Sequence, residues 1–120
     1  MSAVLSVGGD AVASHSSAAR LWEFAHQPET AIEISVGRDR RTTSRGVRIH
    51  RSRHPKDADA TQRVGIPCTT FERTLCDCST ELTEFQLGRS FDDGLRRGVA
   101  SIARLSECAR RLESGPGRHM

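Results

Sequence analysis

The sequence predicts an α+β fold: a short N-terminal helix, a small and mainly antiparallel sheet (a hairpin plus an edge strand), and three C-terminal helices packed against it. Three observations carry this reading. Residues 31–36 and 46–51 alternate apolar and polar side chains with the period of half-buried strands. From Phe71 onward, apolar residues return every three or four positions, the period of a helix. Thr69 with Glu72, and Thr83 with Gln86, stand at capping-box spacing ahead of two of these stretches.

In chain order, residues 2–13 carry a short apolar run cut by Gly8, Gly9 and Asp10, so the chain is expected to start in mid-element. Ser14 caps a helix running through Ala25, with Ala18, Leu21, Trp22 and Ala25 on one face, and Pro28 lies beyond its end. In the first strand Ile32, Ile34 and Val36 point inward while Glu33 and Ser35 point out. In the second, Val47 and Ile49 point inward and Arg48 and His50 out, and the intervening polar loop joins the two as an antiparallel hairpin. Residues 54–62 read as a polar connector. Val64, Ile66 and Cys68 alternate around Pro67, which cannot donate to a ladder, so this strand belongs at an edge or ends at the proline.

Thr69 and Glu72 open a helix whose stripe is Phe71, Leu75 and Cys78, with Leu82 just beyond. Thr83 and Gln86 open the next, with Leu82 and Leu87 as a hydrophobic staple and Leu87, Phe91, Leu95 and Val99 as its stripe. Gly98 is a left-handed stop, after which Ser101 caps a third helix burying Ile102, Leu105, Cys108 or Ala109, and Leu112. Residues 1–113 are thus read as a single domain and 114–120 as a flexible tail or shortened linker.

The composition is 36% hydrophobic, 28% charged and 4% aromatic, so the core rests on aliphatic residues with Trp22 and a few Phe. No apolar run approaches the roughly 18–20 residues of a membrane span, and no signal peptide is evident, so a cytoplasmic protein is expected. The net charge is +3, yet the basic residues are almost all arginines, Lys56 being the sole lysine. Arg38, Arg40, Arg41, Arg45, Arg48, Arg51 and Arg53 crowd the hairpin. Two readings stand for this cluster: contact with DNA phosphates, unspecific because no aromatic residue is interleaved, or a solvated arginine-biased face.

The chemistry of an enzyme is not legible. Asp92 and Asp93 diverge on a helix, near Arg96 and Arg97 at ion-pair spacing, and no phosphate loop follows Gly8–Gly9. The serines around His15 lack a nucleophile elbow and read as caps. Histidines 15, 26, 50, 54 and 119 are scattered, and Cys68, Cys76, Cys78 and Cys108 lack zinc spacing and read as small buried thiols. No catalytic residue, metal site or cofactor is expected.

The stretch Val64-Gly65-Ile66-Pro67-Cys68-Thr69-Thr70, continuing Phe71-Glu72-Arg73-Thr74-Leu75-Cys76-Asp77, resembles the signature strand and helix of the AbiEi-type antitoxins of type IV toxin–antitoxin systems. Actinobacterial relatives fused to a very-short-patch-repair-like endonuclease share it. The resemblance extends to Ser14–Ala19 with Leu21-Trp22, to Gly46–Arg53 and to Asp92–Val99, and so spans nearly the whole chain. It departs where the family has Pro-Ala before the Arg-Thr-Leu, here Phe71-Glu72, and where Cys76 and Cys78 replace leucines. The resemblance implies that Gly65, Ile66, Pro67, Thr69, Arg73, Thr74, Leu75 and Asp77 are structural signature residues. It further implies a middle domain whose winged helix-turn-helix and nuclease parts lie outside this chain. The expected function is therefore a non-catalytic, antitoxin-like or DNA-associated domain, with DNA backbone or a nucleotidyltransferase-like toxin as partner. The alternative is a truncated remnant of an endonuclease-fused relative without retained activity.

Overall fold

The computed structural model describes residues 11–27, 32–37, 46–52 and 59–114. The expectations for residues 1–10, for the hairpin loop and for the tail after Ser114 lie outside them. The elements are β1 (Val12–Ala13), α1 (His15–Leu21), β2 (Ile32–Gly37), β3 (Val47–Ser52), β4 (Ala60–Arg63), β5 (Ile66–Thr69), α2 (Phe71–Asp77), a 3-10 turn (Cys78–Thr80), α3 (Glu84–Arg97) and α4 (Ile102–Ser114). The class is α+β, with a five-stranded sheet in the order β3-β2-β1-β5-β4.

The sheet is mixed, which corrects the expected hairpin. β2 and β3 pair in parallel, Ile32 against Val47 through Gly37 against Ser52. Alternation puts the same residues inward whichever way the second strand runs, so periodicity is blind to this difference. The antiparallel pairs are β1 with β2 and β4 with β5, while β1 and β5 are parallel. β4 occupies part of the expected connector, and it, not β5, forms that edge. Pro67 is accommodated inside the sheet because it faces Gln62 one step from the turn-closing pair Arg63 and Ile66. In an antiparallel ladder that next pair exchanges no hydrogen bonds, so the missing N–H is not required by β4.

α1 is shorter than the predicted helix because a Schellman motif ends it. Phe24 N–H donates to Ala19 O at 3.0 Å and Glu23 N–H to Arg20 O at 3.1 Å, with Glu23 at φ 56°. α3 ends the same way at Gly98, φ 76°, as its sequence predicts. At its start the Thr83–Gln86 capping box is complete, at 3.1 and 3.0 Å.

The box expected at Thr69 forms differently. Thr70 is the cap, accepting from Arg73 N–H at 3.2 Å, while Thr69 stays in β5 and its hydroxyl meets that of Thr74 at 2.7 Å. Glu72 instead reaches α4, where it accepts the Ser101 N–H at 2.9 Å and pairs with Arg104 at 3.2 Å. With Ser101 Oγ accepting from Arg104 N–H at 3.3 Å, Glu72 completes a capping box from another helix.

Among the described residues, two apolar clusters form the interior. Ala11, Ala13, Ile34, Val36 and Cys68 make one, flanked by Val47, Ile49 and Ile66. Ala19, Phe24, Phe71, Leu75, Cys78 and Leu82 make the other, with Leu87, Phe91, Val99 and Leu105 packed on it. The predicted stripe of α2 is therefore core, and of the α3 stripe Leu87, Phe91 and Val99 pack half-buried against it, whereas Leu95 joins neither cluster and Ile102 at the first position of α4 is exposed. Trp22 touches both clusters, and its Nε1 donates to Thr69 O at 2.9 Å.

The signature residues have structural work here. Gly65 completes the β4–β5 turn, Leu75 is core, and Arg73 bonds Asp77 and Asp59, each at 3.0 Å. Asp59 also pairs with Arg111 of α4. Among the described residues, no helix is long and apolar enough to cross a membrane.

Candidate functional site

The polar side of β2 is not solvent-facing, contrary to expectation. Glu33 and Ser35 are buried because the start of α1 closes over them. Burying a carboxylate is costly unless its oxygens are bonded, and Glu33 is bonded on both. Its Oε1 accepts from the Ser16 hydroxyl at 2.7 Å and from the Ser16 N–H at 3.2 Å. Its Oε2 accepts from His50 Nε2 at 2.7 Å and lies 3.8 Å from the exposed Arg48 guanidinium.

The Ser14 hydroxyl makes no cap to its own helix. Glu33 satisfies that end from the sheet instead, and in return its backbone N–H donates to Ser17 Oγ at 2.8 Å. Ser14 Oγ accepts from Ser35 Oγ at 2.9 Å and lies 3.1 Å from His15 Nδ1. The serines thus cap in a different sense from the one predicted, by fastening α1 to β2.

His15, placed by a left-handed backbone at φ 51°, stacks on His50 with ring centroids 3.8 Å apart and planes 13° apart. Two imidazolium rings at that distance would repel, and burial chiefly, with His50 contributing, lowers the His15 pKa below its ordinary value. Burial pushes the Glu33 carboxyl up, but hydrogen bonds from Ser16 and His50 outweigh it and hold its pKa at about 2. The result is an ionised carboxylate between a serine and a stacked histidine pair.

The histidines read as scattered in sequence are therefore brought together in part. His15 and His50 meet at Glu33, His26 stands apart on the α1–β2 connection, and His54 and His119 lie outside the described residues. The signal that identifies the site is the register: β2 and β3 pair Ser35 with His50 and Glu33 with Arg48, putting four polar residues on one side of adjacent strands.

Of the predicted phosphate-binding arginines, Arg48 is exposed on β3 and Arg51 lies on the same strand. Arg38, Arg40, Arg41, Arg45 and Arg53 are outside the described residues. Cys68, Cys78 and Cys108 are buried as expected, while Cys76 is half-buried beside Cys108, whose thiol hydrogen-bonds it and lowers its pKa. A recess of about 220 Å³ between α2 and α4 has its acids paired: Glu72 with Arg104, and Asp59 and Glu107 with Arg111.

A scan against protein-family models finds no match for this chain, and a search of curated proteins finds none either. Fold and site together define its class: a small α+β domain with a mixed sheet whose β2–β3 edge carries a buried glutamate, an exposed arginine and a histidine that stacks on one from α1.

Proposed function

We propose that this chain is a non-catalytic, DNA-associated domain of the antitoxin kind, touching the phosphate backbone through β3 and the arginines that flank it in sequence. The observation that carries this reading is Arg48. It stands on the edge strand β3 with its side chain 57% exposed, within the arginine-rich segment 38–53. Its contact with the buried Glu33 is long, 3.8 Å, and made from an exposed guanidinium, so it can be exchanged for a phosphate. The resemblance of Val64–Asp77 to AbiEi-type antitoxins supports the same reading and adds a nucleotidyltransferase-like toxin as a protein partner. Cytoplasmic residence accords with both.

The test is a fluorescence-anisotropy titration of labelled duplex DNA at several salt concentrations. Weak binding at low salt is expected, with log K falling linearly against log salt and little dependence on sequence. Arg48→Ala should flatten that slope by about one unit. Absence of binding at low salt, or binding indifferent to salt, overturns the proposal.

A further inference from the structure

We infer that His15, Glu33 and His50 form a binding site for a divalent first-row transition-metal ion, with Zn²⁺ the best fit. One ligand atom from each residue already lies within 4.8 Å of the other two, and the three come from separate elements, α1, β2 and β3. In a four-coordinate site with bonds of about 2.0–2.1 Å, neighbouring ligand atoms stand roughly 3.3 Å apart. The ligand-atom separations therefore need to close by at most about 1.5 Å, together with a rotation of one imidazole to aim its lone pair at the ion.

The surrounding hydrogen bonds hold the ligands in the required sense. Ser14 Oγ engages His15 Nδ1 at 3.1 Å, which leaves Nε2 as the coordinating nitrogen. Ser16 fixes Glu33 Oε1, which leaves Oε2 on the side of His50. Such outer contacts orient metal ligands and set their tautomers. The two imidazoles lie stacked, 13° from parallel, so their in-plane lone pairs do not yet converge, and one ring turns out of the stack as the ion enters. The ion takes the place of the proton shared by His50 Nε2 and Glu33 Oε2, and that proton moves to His50 Nδ1, leaving the ring neutral.

Two imidazoles and a carboxylate suit zinc and its neighbours, whereas Mg²⁺ and Ca²⁺ take oxygen ligands. His50 is 33% exposed, so one side of the site opens to solvent, admitting the ion and the water that completes its coordination. Arg48 is the adverse charge at 3.8 Å, and its exposed guanidinium can turn outward as the ion enters.

The test uses the chelator-treated full chain titrated with CoCl₂, then with ZnCl₂ in competition. One equivalent of Co²⁺ should bind, giving visible d–d bands without a thiolate charge-transfer band, and should broaden the imidazole resonances of His15 and His50 selectively. His15→Asn and His50→Gln should each weaken binding at least about 100-fold, while Cys76→Ser leaves it unchanged. Failure to bind one equivalent, binding that survives His50→Gln, loss of binding in Cys76→Ser, or broadening centred on other residues overturns the inference. The resonance broadening is read on the unaltered chain, so the result stands even where a variant fails to fold.

Discussion

Ser16 at the start of α1 gives both its backbone N–H, at 3.2 Å, and its hydroxyl, at 2.7 Å, to the same oxygen of Glu33 on β2. A seven-residue helix is too short to be stable alone, so this double bond to the sheet is what holds its first turn. Glu33→Gln keeps an acceptor for Ser16 but loses the charge and presents an amide to His50. It should destabilise the fold by about 1.5–3 kcal/mol, the range for hydrogen bonds to a charged group. Urea unfolding measures this, and an unchanged midpoint would show that Glu33 does not anchor α1.

Two glycines of α3 should respond oppositely to the same substitution. A Cβ built on Gly94 falls 2.4 Å from the Phe71 ring and 3.0 Å from Ala100, in the core, whereas one on Gly88 meets nothing within 4 Å. Gly94→Ala is expected to cost about 1–3 kcal/mol through overpacking. Gly88→Ala should instead stabilise by about 0.4–1 kcal/mol, because alanine loses less backbone freedom on entering a helix. Paired thermal melts would show this sign change, and equal effects at the two sites would contradict the packing of Phe71 on α3.

The β4–β5 turn carries a correctable strain. Val64 and Gly65 both have positive φ, 48° and 77°, as a two-residue turn of the mirror-image kind demands, yet valine is β-branched and 83% exposed. Asparagine adopts that conformation more readily, and no packing is lost at so open a position. Val64→Asn should raise stability by about 1 kcal/mol. A lower unfolding midpoint would mean that Val64 makes contacts other than those of an exposed turn.

Local chemistry was readable from the residues, and long-range geometry was not. The stripe Phe71, Leu75, Cys78 and Leu82, the Thr83–Gln86 box and the Gly98 stop follow from helix period and cap chemistry within a few residues. The direction of β3 does not, since Val47 and Ile49 face inward in either orientation. The cap expected at Thr69 falls one residue later, at Thr70, and Glu72 is committed to Ser101 on another helix. His15 and His50 meet only through the parallel β2–β3 pairing and the docking of α1, which no spacing rule encodes. The burial of Glu33 has the same origin.

The cluster depends on Glu33 being ionised beneath α1. Its folded pKa, about 2, lies below the roughly 4.3 of an unfolded glutamate. The native state therefore binds the proton less tightly than the unfolded chain. The stabilisation, at most about 2–3 kcal/mol, is complete above pH ~4.3 and is lost as the pH falls toward 2. The most direct measurement is the ¹³C carboxyl resonance of Glu33 in the metal-free chain, followed through an acid titration. An ionised shift held to about pH 2, or until the chain unfolds, is expected. A midpoint near 4.3 in the folded protein would contradict it.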